Sequence, residues 1–166
     1  LKSTPEICNL DTILNDVITD FNDLIDQKEM EITKMRLPSV KSNPIQFRQV
    51  FYNLISNAVK YRKENTLLKL NISYQMASKL NGKNNSPHLY HKISFEDNGI
   101  GFEPDHNDKI FGLFQRLHDQ TRYSGTGLGL AICKKVIETY GGEITAQGIS
   151  GKGARFDILL PVEVET

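Results

Sequence analysis

Cysteine is scarce in this 166-residue chain, which has only Cys8 and Cys133. Two isolated thiols form neither a zinc cluster nor a disulfide framework, so a reducing, cytosolic setting is expected. Excess charge of either sign is lacking too, with 20 Lys and Arg against 20 Asp and Glu. Without a basic surplus there is no ground for non-specific binding to nucleic acid or to a membrane surface. No apolar run approaches the ~20 residues that a membrane span needs, and the N-terminus lacks a signal-peptide pattern. The chain has no internal repeat and no low-complexity tract. His88, His91, His106 and His118 lie in or near loops without metal-ligand spacing. The start at Leu1, without methionine, leads to the expectation of a fragment cut from a longer protein. What remains is an ordinary globular composition, 39% hydrophobic and 24% charged, long enough for one domain with a substantial core.

Residues 1–9 are polar, contain Pro5 and read as the end of a linker. From Leu10 to near Gln27, apolar residues recur at steps of three and four, which predicts one helix with Asp11 as its N-cap. Glu31 to Leu37 reads as a short strand ended by Pro38. Asn43-Pro44 starts a second helix, expected to reach Arg62, because proline suits the first helical position and asparagine caps it. Leu67–Tyr74 and His91–Glu96 alternate as strands, with Ala77–His88 a turn-rich loop between them. A helix from Leu128 to Tyr140, the turn Gly141-Gly142, and a hairpin of Glu143–Gln147 with Ala154–Leu160 complete the order. That order argues for an α+β fold, one mixed sheet of about five strands with its three main helices on one face.

Two glycine-rich turns bracket residues 97–130. Asp97-Asn98-Gly99-Ile100-Gly101 opens the stretch and Gly125-Thr126-Gly127-Leu128-Gly129-Leu130 closes it, with Phe111, Phe114, Arg116, Arg122 and Tyr123 between. Glycines admit positive φ and close approach of a ligand to backbone N–H groups. A helix directly after the second turn turns its positive dipole end toward whatever the glycines admit, which suits phosphate. Asp97 is either a turn carboxylate or an acceptor for an exocyclic amine, a choice that would favour adenine over guanine. A calcium loop is excluded, since Asp108 rather than a glutamate stands at the twelfth position.

The second helix adds a further group of polar residues. At ~100° per residue, Asn53, Asn57 and Lys60 fall within about 60° of one another, beside the stripe of Phe47, Phe51, Leu54, Ile55, Ala58 and Val59. Gln46 and Gln49 extend the line. This edge is either a solvated helix face or a set of amide oxygens for Mg²⁺, with a lysine beyond to neutralise phosphate.

Taken in order, these motifs resemble the four boxes of bacterial sensor histidine kinases. Asn53-Leu54-Ile55-Ser56-Asn57-Ala58-Val59-Lys60-Tyr61 resembles the N box, and Asp97-Asn98-Gly99-Ile100-Gly101 the G1 box. Ile110-Phe111-Gly112-Leu113-Phe114-Gln115-Arg116 is similar to the F box, and Gly125 to Leu130 to the G2 box. Gly151-Lys152-Gly153-Ala154-Arg155-Phe156, ending Leu160-Pro161, is similar to the family's last strand. The resemblance implies the Bergerat ATP-binding fold, a two-layer α/β sandwich with a flexible ATP lid, over residues 10–162, followed by a short tail at 163–166.

By the same resemblance Asp97 would receive the adenine amine, with Gly99 and Gly101 shaping the base pocket and Tyr61 stacking nearby. Asn57, and Asn53 as a second candidate, would hold Mg²⁺. Lys60 would reach the phosphates, and Arg116 would approach the γ-phosphate. Gly125, Thr126, Gly127, Leu128 and Gly129 would cradle the phosphate tail. The implied activity is transfer of the ATP γ-phosphoryl group to a histidine on a dimerisation domain of the same parent. That domain would form the homodimer, with a response-regulator receiver downstream. No nucleic acid or membrane contact is expected of this fragment, whether the parent is membrane-anchored or soluble.

ATP-hydrolysing relatives carry a glutamate four residues before the box asparagine, where this chain has Asn53, an amide that cannot take a proton. Two departures stand out. Ala154 occupies a position where the family usually has Ser or Thr, and no histidine here sits in a phosphoacceptor context. The alternatives are a hydrolase of the same superfamily and a non-catalytic nucleotide-sensing domain.

Overall fold

Apolar residues at every second strand position decide the architecture. The computed structural model describes residues 4–80, 82, 84–112 and 128–163. In chain order it contains β1 (Glu6–Asn9), α1 (Leu10–Thr19), α2 (Asn22–Asp26), β2 (Met30–Lys34) and β3 (Ser39–Ser42). Next come α3 (Pro44–Lys60), β4 (Leu68–Leu80), β5 (Pro87–Asp97), two single turns of 3-10 helix at Pro104–His106 and Lys109–Phe111, α4 (Gly129–Thr139), β6 (Glu143–Ile149) and β7 (Gly153–Pro161). Five strands form one sheet in the order β2-β4-β5-β7-β6. The β2–β4 pair is parallel and the other pairs are antiparallel. This is the α+β sandwich expected from the element order.

Register sets which face is buried. Ile72 lies opposite Phe95, Phe95 opposite Phe156, and Phe156 opposite Ala146. All four are buried, making an apolar row across the sheet. The helices lie on it through Leu14 and Val17 of α1, Phe47, Phe51 and Leu54 of α3, and Cys133 and Ile137 of α4. The rings of Phe51 and Phe95 sit 5.8 Å apart. Burying one such phenylalanine contributes roughly 2–3 kcal/mol. One residue out of phase, Ser73, Ser94, Asp157 and Thr145 form the polar row of the opposite face. There Ser94 Oγ and Arg155 Nε both donate to Asp157 Oδ1.

Several sequence expectations need correction. The first helix is two helices, because the chain breaks at Asp20–Phe21 so that Phe21 can pack on Tyr52, with ring centroids 5.5 Å apart. Its N-cap is Asn9, whose side chain accepts from the Asp11 and Thr12 amides. Asp11 instead holds Lys34. The supposed linker contains β1, which pairs antiparallel with β3 in a separate two-stranded sheet. The supposed loop at Ala77–His88 is largely hairpin, with Ala77 paired to Tyr90 and Leu80 to Pro87. The second helix ends at Lys60, two residues short of Arg62.

Candidate functional site

α3 is started by Asn43, whose side chain accepts from the Ile45 and Gln46 amides, with Pro44 in the first turn. Its apolar stripe faces the core, which leaves the amide edge half-buried beside it. Asn53 Nδ2 donates to Gly129 O at 3.3 Å, so this residue ties α3 to the first turn of α4. Asn57 lies one turn on, with its side-chain amide in no hydrogen bond to a described residue. Lys60 Nζ stands 5.2 Å above the Tyr61 ring, a cation–π distance. Gln46, expected on the same edge, is taken up by Tyr140, whose hydroxyl donates to its Oε1.

Tyr61 ends the helix and turns the chain toward the Asp97 corner. Its carbonyl accepts from Ile100 N at 2.9 Å. Gly99 packs so closely there that a Cβ would lie 2.6 Å from Tyr61 O and 2.9 Å from Asp97 Oδ1. α3 and the Asp97 turn are thus fastened backbone to backbone. Asp97 itself ends β5 and accepts from Gly99 N at 2.8 Å. Burial pushes its carboxyl above the usual carboxylate value of 3.8, against the pull of the Gly99 and Ala154 amides and with the help of neighbouring Glu96. Among the described residues no cation pairs with it. A half-buried acceptor without a cation suits a neutral donor such as an aromatic amine.

Gly101 has φ +65°, and a Cβ there would lie 2.1 Å from Ile149 O and 2.6 Å from Gly153 O. Its glycine requirement is therefore met by the crossing of two backbones rather than by ligand approach. Gly151 N completes the seam with a 2.7 Å bond to Ile100 O.

α4 begins at Gly129 after Leu128, with no side-chain cap on its first turn. Its leading amides are the feature expected to face phosphate. A Cβ on Gly129 would lie 3.6 Å from Asn53 Cγ, an ordinary contact. Phe111 is buried and packs edge-on against Phe156, a core role. Arg116, Gly125, Thr126 and Gly127 lie outside the described residues, as do Phe114, Arg122 and Tyr123. The structure therefore brings together Asn53, Asn57, Lys60, Tyr61, Asp97 and Gly99 on two joined segments, with Gly101 behind them and Gly129 at the foot of α4.

Sequence reasoning missed three supports of this site. Asn98 stands in for a strand residue, its Oδ1 accepting from Lys69 N at 2.8 Å and its Nδ2 donating to Leu67 O at 3.1 Å. The Phe102 ring fills the space that a side chain at Gly148 would occupy. Asn107 Oδ1 accepts from Gly148 N at 3.0 Å. Asn-Gly after a strand does signal a turn, but partners so distant in the chain leave no local pattern.

The family model described as "Histidine kinase-, DNA gyrase B-, and HSP90-like ATPase" matches residues 42–164. Cyanobacterial phytochrome A of Nostoc sp. (strain PCC 7120) is 36% identical over 157 residues, 95% of this chain and 19% of that protein. Sensor protein kinase WalK of Staphylococcus haemolyticus is 35% identical over 162 residues, 89% of this chain and 25% of that protein. The chain thus spans about one fifth to one quarter of these curated relatives. The solved catalytic domain of histidine kinase ThkA shares the fold, with a TM-score of 0.73 at 24% identity over 96% of each chain.

Proposed function

We propose a specific role for this chain, which belongs to the histidine kinase-, DNA gyrase B- and HSP90-like ATPase family and is an ATP-binding catalytic domain of the sensor histidine kinase type. It binds ATP·Mg²⁺ between α3 and α4 and transfers the γ-phosphoryl group to a histidine on a separate dimerisation domain of its parent, which then supplies a response-regulator aspartate. The observation that carries this reading is the Tyr61 O–Ile100 N bond, which joins the amide edge of α3 to the Asp97 corner in one cradle.

In this reading Asp97 accepts the adenine amine and Tyr61 flanks the base. Mg²⁺ fits the donor set. Asn57 offers a half-buried amide oxygen, and among the described residues no three His, Cys, Asp or Glu cluster as an alternative centre. A site with so few protein ligands would suit an ion carried by the nucleotide. Bound there, Mg²⁺ would neutralise phosphate charge. Asn57 would hold it, with Asn53 as a second amide toward it beyond its tie to Gly129. Lys60 adds a cation toward the phosphates, the amides of Leu128, Gly129 and the preceding Gly125–Gly127 turn cradle the tail, and Arg116 meets the transferring group. Such transfer rests on positioning and charge stabilisation and needs no protein nucleophile. Asn53 offers no base to activate water, which favours transfer over hydrolysis.

The deciding experiment mixes this chain with a separately made histidine-bearing dimerisation domain and γ-labelled ATP. Acid-labile phosphohistidine on the added domain is the expected product, with no label on the fragment alone. Free phosphate without protein label would replace this reading with a hydrolase. Asn57→Ala is expected to weaken Mg²⁺-dependent ATP binding, and equal ATP affinity of wild type and Asn57→Ala at every Mg²⁺ concentration would take Asn57 out of the metal role.

A further inference from the structure

A pocket of about 810 Å³ opens at the end of α3, between the loop that follows it and the turn from α2 into β2. Asp97, Gly99 and Asn57 do not line it. Four cations do, Lys28, Lys60, Arg62 and Lys63, against the two carboxylates Glu29 and Glu64. In a chain of zero net charge, a surplus of two positive charges around one concavity is a local asymmetry. Arg62 shares its guanidinium between Val59 O and Glu29. Lys28 and Lys63 have no ion-pair partner among the described residues.

The backbone gives an independent observation. Lys28 has φ +58° and sits just past α2. Its N–H bonds to Ile25 O and the Glu29 N–H to Leu24 O, the paired bonds of a Schellman turn, where glycine is strongly preferred. α4 ends in the same motif, with Gly141 N on Glu138 O and Gly142 N on Ile137 O, and there the left-handed residue is Gly141 at φ +73°. The same turn thus uses glycine at one helix and lysine at the other. Asn65, also at this pocket, is a second non-glycine in the left-handed region, at φ +54°. Asparagine tolerates that region well, whereas lysine does not, so Lys28 at the pocket wall points to a need for its side chain.

We propose that this pocket binds a compact polyvalent phosphate anion, at a site separate from the nucleotide cradle and bordering it at Lys60. Lysine and arginine together suit phosphate oxygens, the one as a point charge and the other as a planar fork. Asn65 and Thr66 add polar donors to the lining. The inference stands apart from the nucleotide reading and survives its failure.

The test is calorimetric titration of the whole chain with inorganic pyrophosphate at low ionic strength, with and without a saturating ATP analogue. Wild type is expected to bind in both conditions, and added salt to weaken binding. Lys28→Gly and Lys63→Ala should each lower pyrophosphate affinity by about tenfold and leave the analogue's affinity unchanged. Lys28→Gly should also raise the thermal midpoint, because glycine relieves the turn, and this separates lost binding from lost folding. Unchanged pyrophosphate affinity in the double variant, or displacement of pyrophosphate by the ATP analogue, would overturn the proposal.

Discussion

Asp11 and Asp97 are both half-buried aspartates at the end of a secondary-structure element, yet their environments push them in opposite directions. Burial alone would raise the Asp11 carboxyl. Its hydrogen bonds from Lys34 and the Leu37 amide, with the charges of Lys34 and Arg36, reverse that and hold it below the usual value. Its Oδ1 takes Lys34 Nζ at 2.7 Å and Leu37 N at 3.0 Å, clamping α1 onto β2 and the loop beyond. Burial likewise raises Asp97, but there two backbone amides are not enough to offset it and the like-signed Glu96 adds to the rise. A carboxylate answered by a cation belongs to the scaffold. One left short of a cation, as Asp97 is, is where the proposed adenine amine would be met.

The comparison can be broken most completely at Gly101. Gly101→Ala puts a Cβ into Ile149 O at a positive φ and should cost on the order of 3 kcal/mol or more. Chemical denaturation would show it, together with loss of nucleotide binding, while the Asp11 clamp remains intact. Next in size, Asp97→Asn is expected to weaken adenine-nucleotide binding by about 100-fold, as for a lost partner of a buried polar contact. It should leave stability equal or higher, since an uncompensated charge is removed. Equal ATP affinity in Asp97→Asn by calorimetry would end the distinction between the two aspartates. The mirror experiment is Asp11→Asn. Its expected effect is a loss of about 1–2 kcal/mol of stability with unchanged nucleotide affinity.

A pH series sharpens the same contrast. The folded pKa of Asp11 is depressed, so its stabilising contribution is fully present above the ordinary carboxylate value of 3.8 and fades as pH falls through the lower folded value. The folded pKa of Asp97 is raised, so its ionised form costs stability at neutral pH, and this cost is relieved as pH falls through a window that starts above 3.8. Nucleotide affinity should decline in that upper window, where stability from Asp11 is still intact, and Asp97→Asn should flatten the decline. The smallest effect concerns Cys133. Burial pushes its thiol up to about 12, with Asn53 and its own backbone amide opposing. Alkylation of folded protein at mild alkaline pH should leave it unmodified while denatured protein reacts.

Legibility differed between the regions in the same physical way. α3, α4 and the β6–β7 hairpin carry their pattern within one segment, because their apolar residues repeat at the helical or strand period. β1 and β3 are four residues each and mostly exposed. They exist only because each pairs with the other, which no local window can register. The Asp20–Phe21 break hides inside an apolar period that continues straight through it. The outer β4–β5 hairpin contains turn-rich sequence held by backbone pairing, so composition misreads it. At the site, the types and spacing of Asn53, Asn57, Lys60, Asp97 and Gly99 pointed to their positions. What Gly101 and Asn98 do could not be read, because their partners lie in β4 and the β6–β7 turn.

The seam at Gly101 also bears on how such a protein is made. Asp97 pairs with Ala154 in the sheet, and a Cβ on Gly153 would fall 2.0 Å from Asp97 O. During synthesis Asp97 leaves the ribosome roughly fifty residues, and the α3 amides roughly a hundred, before the strand that backs them. A nascent chain halted before β7 has the residues that would greet a nucleotide but no wall to hold them in place. On the proposed reading, nucleotide binding should therefore require β7, and a chain ended before Gly153 is expected to bind no nucleotide.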